Sequence, residues 1–234
     1  MKKRIKINAA VIFLSLLAIA FFSFKLIRDS SGPLDNFLEV LGVSLILLGQ
    51  LLRVSSRGYK AEHSANGHSL IKNGPYAMVR NPMYLGIILI GLGVVLFIFH
   101  LWAFFIFAVI FISRYLHLVI KEEKNLLKTF GEDYREYHKK TPRLLPRISF
   151  LFKTDIQEYL PVKLSWFKRE AASISIVLFA VCWVEYWEDV GMCKGSAALT
   201  EWLPFLAVMS VYFILIIFLA RRYENLAKKS KNSG

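Results

Sequence analysis

The sequence predicts an all-α fold, a polytopic membrane bundle of about six transmembrane helices, and three observations predict it. The chain of 234 residues is 56% hydrophobic with 19 phenylalanines, and its mean hydropathy of +0.46 is far too apolar for a soluble domain of that length. The apolar residues gather into runs near the length that crosses about 30 Å of hydrocarbon. The 30 lysines and arginines alternate with those runs rather than scattering evenly.

Taken in order, the runs place spans at roughly 8–27, 37–54, 83–99, 101–120, 171–187 and 203–220. The first follows "MKKRIK", and Ala18-Ile19-Ala20 imitates a secretory cleavage site, but the apolar run continues through "FFSF", which favours an uncleaved span. The third and fourth are nearly continuous, with His100 and Trp102 as the boundary. One unbroken helix over that stretch would be about 57 Å long at 1.5 Å per residue. A helical hairpin turning at the far interface is therefore expected. Residues 114–146 carry Leu126, Leu127, Phe130, Tyr134 and Tyr137 at helical spacing, which predicts an amphipathic helix on the cytoplasmic face, stopped by Pro142 and Pro146. Residues 150–170 read as an interfacial linker with Trp166 and Phe167 as anchors. Gly42 and Gly49, and likewise Gly86 and Gly93, fall seven apart, as close-packing positions between helices do.

The net charge of +13 invites a nucleic-acid reading, but its distribution decides otherwise. Of the 30 basic residues, 27 fall at the two termini and in the loops after the second and fourth spans, leaving Lys25, Arg28 and Lys194 for the other side. Such asymmetry puts both termini and both large loops in the cytoplasm. The chain is thus expected to be integral to the membrane, the plasma or inner membrane if prokaryotic, with no nucleic-acid partner. Cys182 and Cys193 show neither redox nor zinc spacing, so no metal site is expected.

The stretch "GPYAMVRNPMYLG", residues 74–86, concentrates turn-forming and charged chemistry just before the third span. Gly74-Pro75 marks a turn, and Asn81, held out of helical angles by Pro82, is placed to cap a helix whose first residue is that proline. A helix start beside Arg80 favours an anionic group. Taken alone, the stretch also reads as an ordinary helix start with a positive-inside arginine. Further on, Arg114, Leu118 and Glu122 are spaced four apart with His117 beside them, so the fourth helix emerges carrying basic, acidic and imidazole groups. Glu123 reads as a solvating carboxylate among Lys121 and Lys124.

Together, "GPYAMVRNPMYLG" and "EEKNLLKTFGEDYREYHKKTPRLLP" resemble the isoprenylcysteine carboxyl methyltransferase and phospholipid methyltransferase family of membrane enzymes, over roughly residues 68–147. The matching positions are Gly74, Pro75, Tyr76, Arg80, Pro82, Tyr84, Glu122, Glu123, Phe130, Gly131, Tyr134, Tyr137, Pro142, Arg143 and Pro146. Asn81 departs from the histidine that many relatives carry. The resemblance implies one integral membrane domain over 1–234, in which 68–147 is the methyltransferase core and 171–220 an additional C-terminal pair. It implies S-adenosylmethionine as methyl donor, held on the cytoplasmic side between the third span, the fourth span and the helix after them. Tyr76, Met83 and Tyr84 would then wall the cofactor and Glu122 would face its positive groups. Arg80, or the Pro82 helix start capped by Asn81, would take its carboxylate, while Arg114 and His117 would orient or deprotonate the acceptor. The expected catalytic set is therefore Arg114, His117 and Glu122, and the acceptor a lipid or lipophilic small molecule arriving from the bilayer.

Two other readings remain. Membrane sterol and steroid reductases using NADPH share an Arg-x-Pro-x-Tyr stretch, but they place an acidic residue soon after the tyrosine, and "LGIILIG" has none. A non-catalytic protein of the same fold would be expected to lose charged groups such as Arg80 and Glu122 from apolar surroundings.

Overall fold

The computed structural model describes residues 32–64, 69–146, 159–167 and 170, together with seven separate helical positions between 207 and 221. The expected span at 8–27 lies outside the described residues, as do 171–187 and most of 203–220. Among the described residues the regular elements are helices: α1 (Pro33–His63), the single turn α2 (Pro75–Met78), α3 (Pro82–Ile98) and α4 (Leu101–Lys140).

Helix α1 starts with Pro33 at its first position, where no intrahelical N–H is lost, and carries Asp35 in its first turn and Lys60 and His63 in its last, as the helix dipole favours. Its 31 residues reach about 46 Å. The expected span 37–54 is therefore its apolar middle, with Arg53 next to its end, and the polar turns beyond it carry Arg57 and Lys60 out of the apolar stretch. Helices α1 and α4 are long and apolar enough to cross a membrane, while α3 is a shorter apolar helix of 17 residues. Helix α3 begins at Pro82 with Asn81 in the N-cap position, as expected, although the Asn81 side chain makes no capping bond.

The amphipathic segment expected as a separate element is instead the continuation of α4, which runs 40 residues. It bends at Gly131, whose φ of 52° and ψ of −121° interrupt the helical angles. An added Cβ at Gly131 would meet nothing within 4 Å, so backbone conformation rather than space demands glycine there. Beyond the bend Tyr134 and Tyr137 turn inward and are buried.

Helices α1 and α3 cross antiparallel through two glycine pairs. A Cβ on Gly42 would lie 2.8 Å from the Gly93 carbonyl, and one on Gly49 2.6 Å from the Gly86 carbonyl, with the reciprocal approaches as short. The two seven-residue spacings read from the sequence are thus the two faces of one backbone-to-backbone crossing. Around it Val43, Ile46, Leu47, Leu51, Phe97 and Val162 form a buried cluster. Helix α4 packs more lightly, running antiparallel to α3 with Phe111 over Gly91, and its Phe105, Ile106, Val109 and Ile110 point outward.

Of the linker expected over 150–170, residues 150–158 and 168–169 lie outside the described residues, and in the rest Trp166 is not the exposed anchor expected. It is 1% exposed and lies flat against Gly58, where a Cβ would come within 2.1 Å of the ring. The indole N–H donates to Glu62 Oε1 at 2.7 Å, and Lys163 pairs with the same carboxylate. Ser55 donates to the Pro161 carbonyl at 2.6 Å, and Glu170 receives Arg57 at 2.6 Å and Arg53 at 3.4 Å. Phe167 packs against the α1–α3 cluster.

Gly86→Leu should force α1 and α3 apart, at a cost of about 1–3 kcal/mol or more from overpacking. Its thermal midpoint in detergent should fall clearly below that of the parent, whereas Leu48→Ala, on the exposed side of α1, should stay close to it.

Candidate functional site

The link between α1 and α3 is held by its own chemistry. Gly74 adopts φ +61° against the Tyr59 ring, 2.8 Å from where a Cβ would stand. The Pro75 turn then delivers Tyr76, Arg80 and Asn81 to α4. Two backbone bonds dock this link on the chain after α4: Arg80 N–H donates to the Pro142 carbonyl at 2.8 Å and Asn81 N–H to the Arg143 carbonyl at 3.2 Å. The Tyr137 hydroxyl adds a bond to the Tyr76 carbonyl at 2.6 Å. The first motif is thereby fastened to the end of the second.

Glu123 stands at the centre of that contact. Its Oε1 accepts from Arg80 Nε at 3.1 Å and Asn81 Nδ2 at 3.0 Å, and its Oε2 from Arg143 Nε at 3.1 Å and Nη2 at 3.0 Å. Arg80 also donates Nη1 to the His138 carbonyl at 2.7 Å. The carboxylate is 6% exposed, so the reading of Glu123 as a solvating group is overturned. Charge pattern along the helix could not reveal this, because the burial comes from two segments 43 residues upstream and 20 downstream.

Beside this clasp lies a cavity with about 660 Å³ of empty space counted to its mouth. It is lined by Tyr76, Arg80, Asn81, Pro82, Met83, Tyr84 and Glu122, all seven of the expected cofactor residues, and by Leu126, Phe130 and Tyr137 of α4. The Tyr84 hydroxyl donates to Glu122 Oε2 at 2.6 Å across the α3–α4 contact. The Tyr76 hydroxyl is buried with no hydrogen-bond partner. Burial, reinforced by the Glu122 carboxylate, pushes that hydroxyl well above the ordinary tyrosine range, so it remains a proton donor.

Arg114 and His117 are exposed on α4, and neither lines this cavity. The structure does not bring them to Glu122's partners. It adds instead residues the sequence reading did not single out: Lys60 and Ser64 from the end of α1, and Ser69, Leu70 and Ile71 from the link. Ending the second span near 54 hid the first two. Lys60 and His63, basic residues in the last turn of α1, were the available signal.

Fold and site together define an integral membrane protein of helices with a cavity where polar helix ends converge. Residues 37–133 match the family described as phospholipid methyltransferase (PEMT). The chain is 29% identical over 118 residues to the protein-S-isoprenylcysteine O-methyltransferase of Schizosaccharomyces pombe, covering 47% of this chain and 50% of that one. It is 33% identical over 127 residues to the Saccharomyces cerevisiae protein of the same name, covering 47% and 49%. It is 31% identical over 121 residues to the cobalt-zinc-cadmium resistance protein CzcN of Cupriavidus metallidurans, covering 50% and 52%. The resemblance carried by the two motifs is therefore shown: over about half its length this chain is similar to proteins of the isoprenylcysteine carboxyl methyltransferase and phospholipid methyltransferase group. The chain spans about half the length of the curated relatives it matches. No solved structure matches it.

Removing one member of a buried ion pair costs about 3–5 kcal/mol because the other charge is left without its partner. Glu123→Ala should accordingly lower the thermal midpoint of the purified protein sharply, and Glu122→Ala, with one hydroxyl partner, much less. Equal shifts for the two would show that Glu123 is not the clasp.

Proposed function

We propose that this protein transfers a methyl group from S-adenosylmethionine to a lipid or lipophilic small molecule at the cytoplasmic face of its membrane. The observation that carries the reading is the cavity itself: the seven expected residues converge on one space.

The lining fits the proposed cofactor. Tyr76, Met83, Tyr84 and Phe130 offer the aromatic and thioether surfaces that an adenine and a sulfonium favour. Glu122 supplies negative charge, held in place by the Tyr84 hydroxyl. Lys60 and the start of α3 supply the positive end for a carboxylate. Arg80 takes a supporting part there, because its Nε and Nη1 already engage Glu123 and the His138 carbonyl. When bound, the cofactor supplies a sulfonium methyl whose carbon–sulfur bond breaks as the acceptor forms its new bond, the electron pair leaving on sulfur as a neutral thioether. The residues contribute positioning and a dry, negatively charged wall beside the sulfonium. In this reading the α3–α4 pair is a membrane hairpin, both termini are cytoplasmic, and the acceptor enters sideways from the bilayer.

S-Adenosylmethionine or its demethylated product should raise the thermal midpoint of the purified protein, by the equivalent of about 2.7 kcal/mol at a hundredfold excess over Kd. NADPH should not; stabilisation by NADPH alone would instead favour a reductase, and stabilisation by none a non-catalytic protein. Glu122→Gln should keep the folded yield and weaken donor binding about tenfold, the loss expected for one charge-assisted contact. Calorimetric titration checks it, and unchanged affinity would remove Glu122 from the role.

A further inference from the structure

A second cleft opens on α4, lined by Tyr84, Leu118, Lys121, Glu122, Asn125, Leu126 and Thr129, with about 800 Å³ of empty space counted to its wide mouth. It shares Tyr84, Glu122 and Leu126 with the first cavity. Helical spacing explains the arrangement. Glu122 and Leu126, four apart, form a ridge; Leu118, Lys121, Asn125 and Thr129 fall on one flank of it, and the first cavity lies on the other. We propose that this cleft seats the headgroup of an anionic phospholipid of the inner leaflet, with an acyl chain running up the outer face of α4.

The exposed cations of α4 and their placement point to that occupant, and the one carboxylate in the lining, Glu122, already accepts from the Tyr84 hydroxyl. Lys121 is exposed and has no ion-pair partner among the described residues. The Asn125 side chain borders the same space, and the Thr129 hydroxyl is already turned to the Asn125 carbonyl at 3.0 Å, leaving Lys121 and the Asn125 amide as the donors facing a headgroup. From Lys121 toward the start of α4, steps of four, three, four and four residues pass His117, Arg114, Ile110 and Ile106, so these five share one stripe. His117 and Arg114 are exposed, as are Ile110 at 65% and Ile106 at 56%. Cations at the cytoplasmic end of an apolar outward stripe are the arrangement that attracts an anionic headgroup, at about 1 kcal/mol per basic residue near the surface. The stripe from Ile106 to Lys121 is about 22 Å long at 1.5 Å per residue, close to the depth of one leaflet with its headgroup region, half of about 40–45 Å. Arg114 and His117, which line neither cavity, lie on the stripe between the headgroup seat and the apolar residues.

The test uses the full chain in phosphatidylcholine nanodiscs doped with either phosphatidylglycerol or phosphatidylcholine carrying a photoreactive group in the acyl chain, with labelled peptides mapped by mass spectrometry. Peptides covering 106–121 should take the phosphatidylglycerol probe about fivefold more than the phosphatidylcholine probe. The preference should vanish in Lys121→Glu, persist in Lys121→Arg, and in the parent protein shrink severalfold at about 1 M salt, where the Debye length is near 3 Å. Equal labelling by both probes in the parent, or a preference unchanged by Lys121→Glu or by salt, would overturn the proposal. No methyl donor is present, so its outcome is separate from that of the proposed reaction.

Discussion

The structure depends on one buried carboxylate. Glu123 gathers two guanidiniums and an amide from segments that meet nowhere else in sequence, and the paired backbone bonds from Arg80 and Asn81 to Pro142 and Arg143 fix the register of that meeting. A carboxylate in a site this dry is tolerable only because each of its oxygens is met by cationic or amide donors. The cost of leaving any of those charges alone makes the clasp all-or-none. The cavity beside it therefore inherits a defined shape: Arg80 and Asn81 are simultaneously members of the clasp and part of the lining.

The other constraint is the glycine crossing of α1 and α3, which works at a distance from the site. Backbone contact at Gly42–Gly93 and Gly49–Gly86 fixes how α1 passes α3, and α1 then continues rigidly to Lys60 and Ser64 at the cavity. The segment 159–170 braces that same end through Trp166 on Gly58 and Glu170 between Arg53 and Arg57. Residues outside the shared core of the family thus hold the helix that contributes to the cavity.

The start of α3 was legible to the residue, because Asn-Pro restricts backbone angles locally and needs no tertiary partner to do so. The glycine spacing was legible for a similar reason, since a seven-residue repeat of the smallest side chain in an apolar run has few other uses. The helical character around Leu126 and Phe130 was legible from periodicity, but the burial of Tyr134 and Tyr137 comes after the bend at Gly131, and Leu127 of the same set is exposed. What stayed hidden was nonlocal. Glu123 looked solvated beside Lys121 and Lys124, and Trp166 looked like an interfacial anchor, because each is buried by a partner far along the chain. The continuity of α4 was hidden by composition: an apolar span followed by an amphipathic segment reads as two elements, although nothing between them breaks the helix until Gly131.

Two adjacent carboxylates with opposite duties follow from helix geometry. Successive residues on an α-helix point about 100° apart, so Glu123 can be driven wholly into the clasp while Glu122 faces the cavity with a single tyrosine as partner. Were one carboxylate to serve both ends, binding a cationic ligand would compete with the ion pairs that hold the motifs together, and the site would loosen as it filled. With the two separated, the proposed cationic ligand would meet Glu122 while the charge of the clasp stays compensated. The same geometry gives Glu122 a second flank, toward Lys121 and Asn125, so that whatever occupies the outer cleft meets the far side of the wall that faces the cavity. A lone acidic residue at this level of α4 could carry the charge but not the separation. The Glu-Glu pair is thus the shortest sequence that places one carboxylate in the clasp and another on the cavity wall of the same helix.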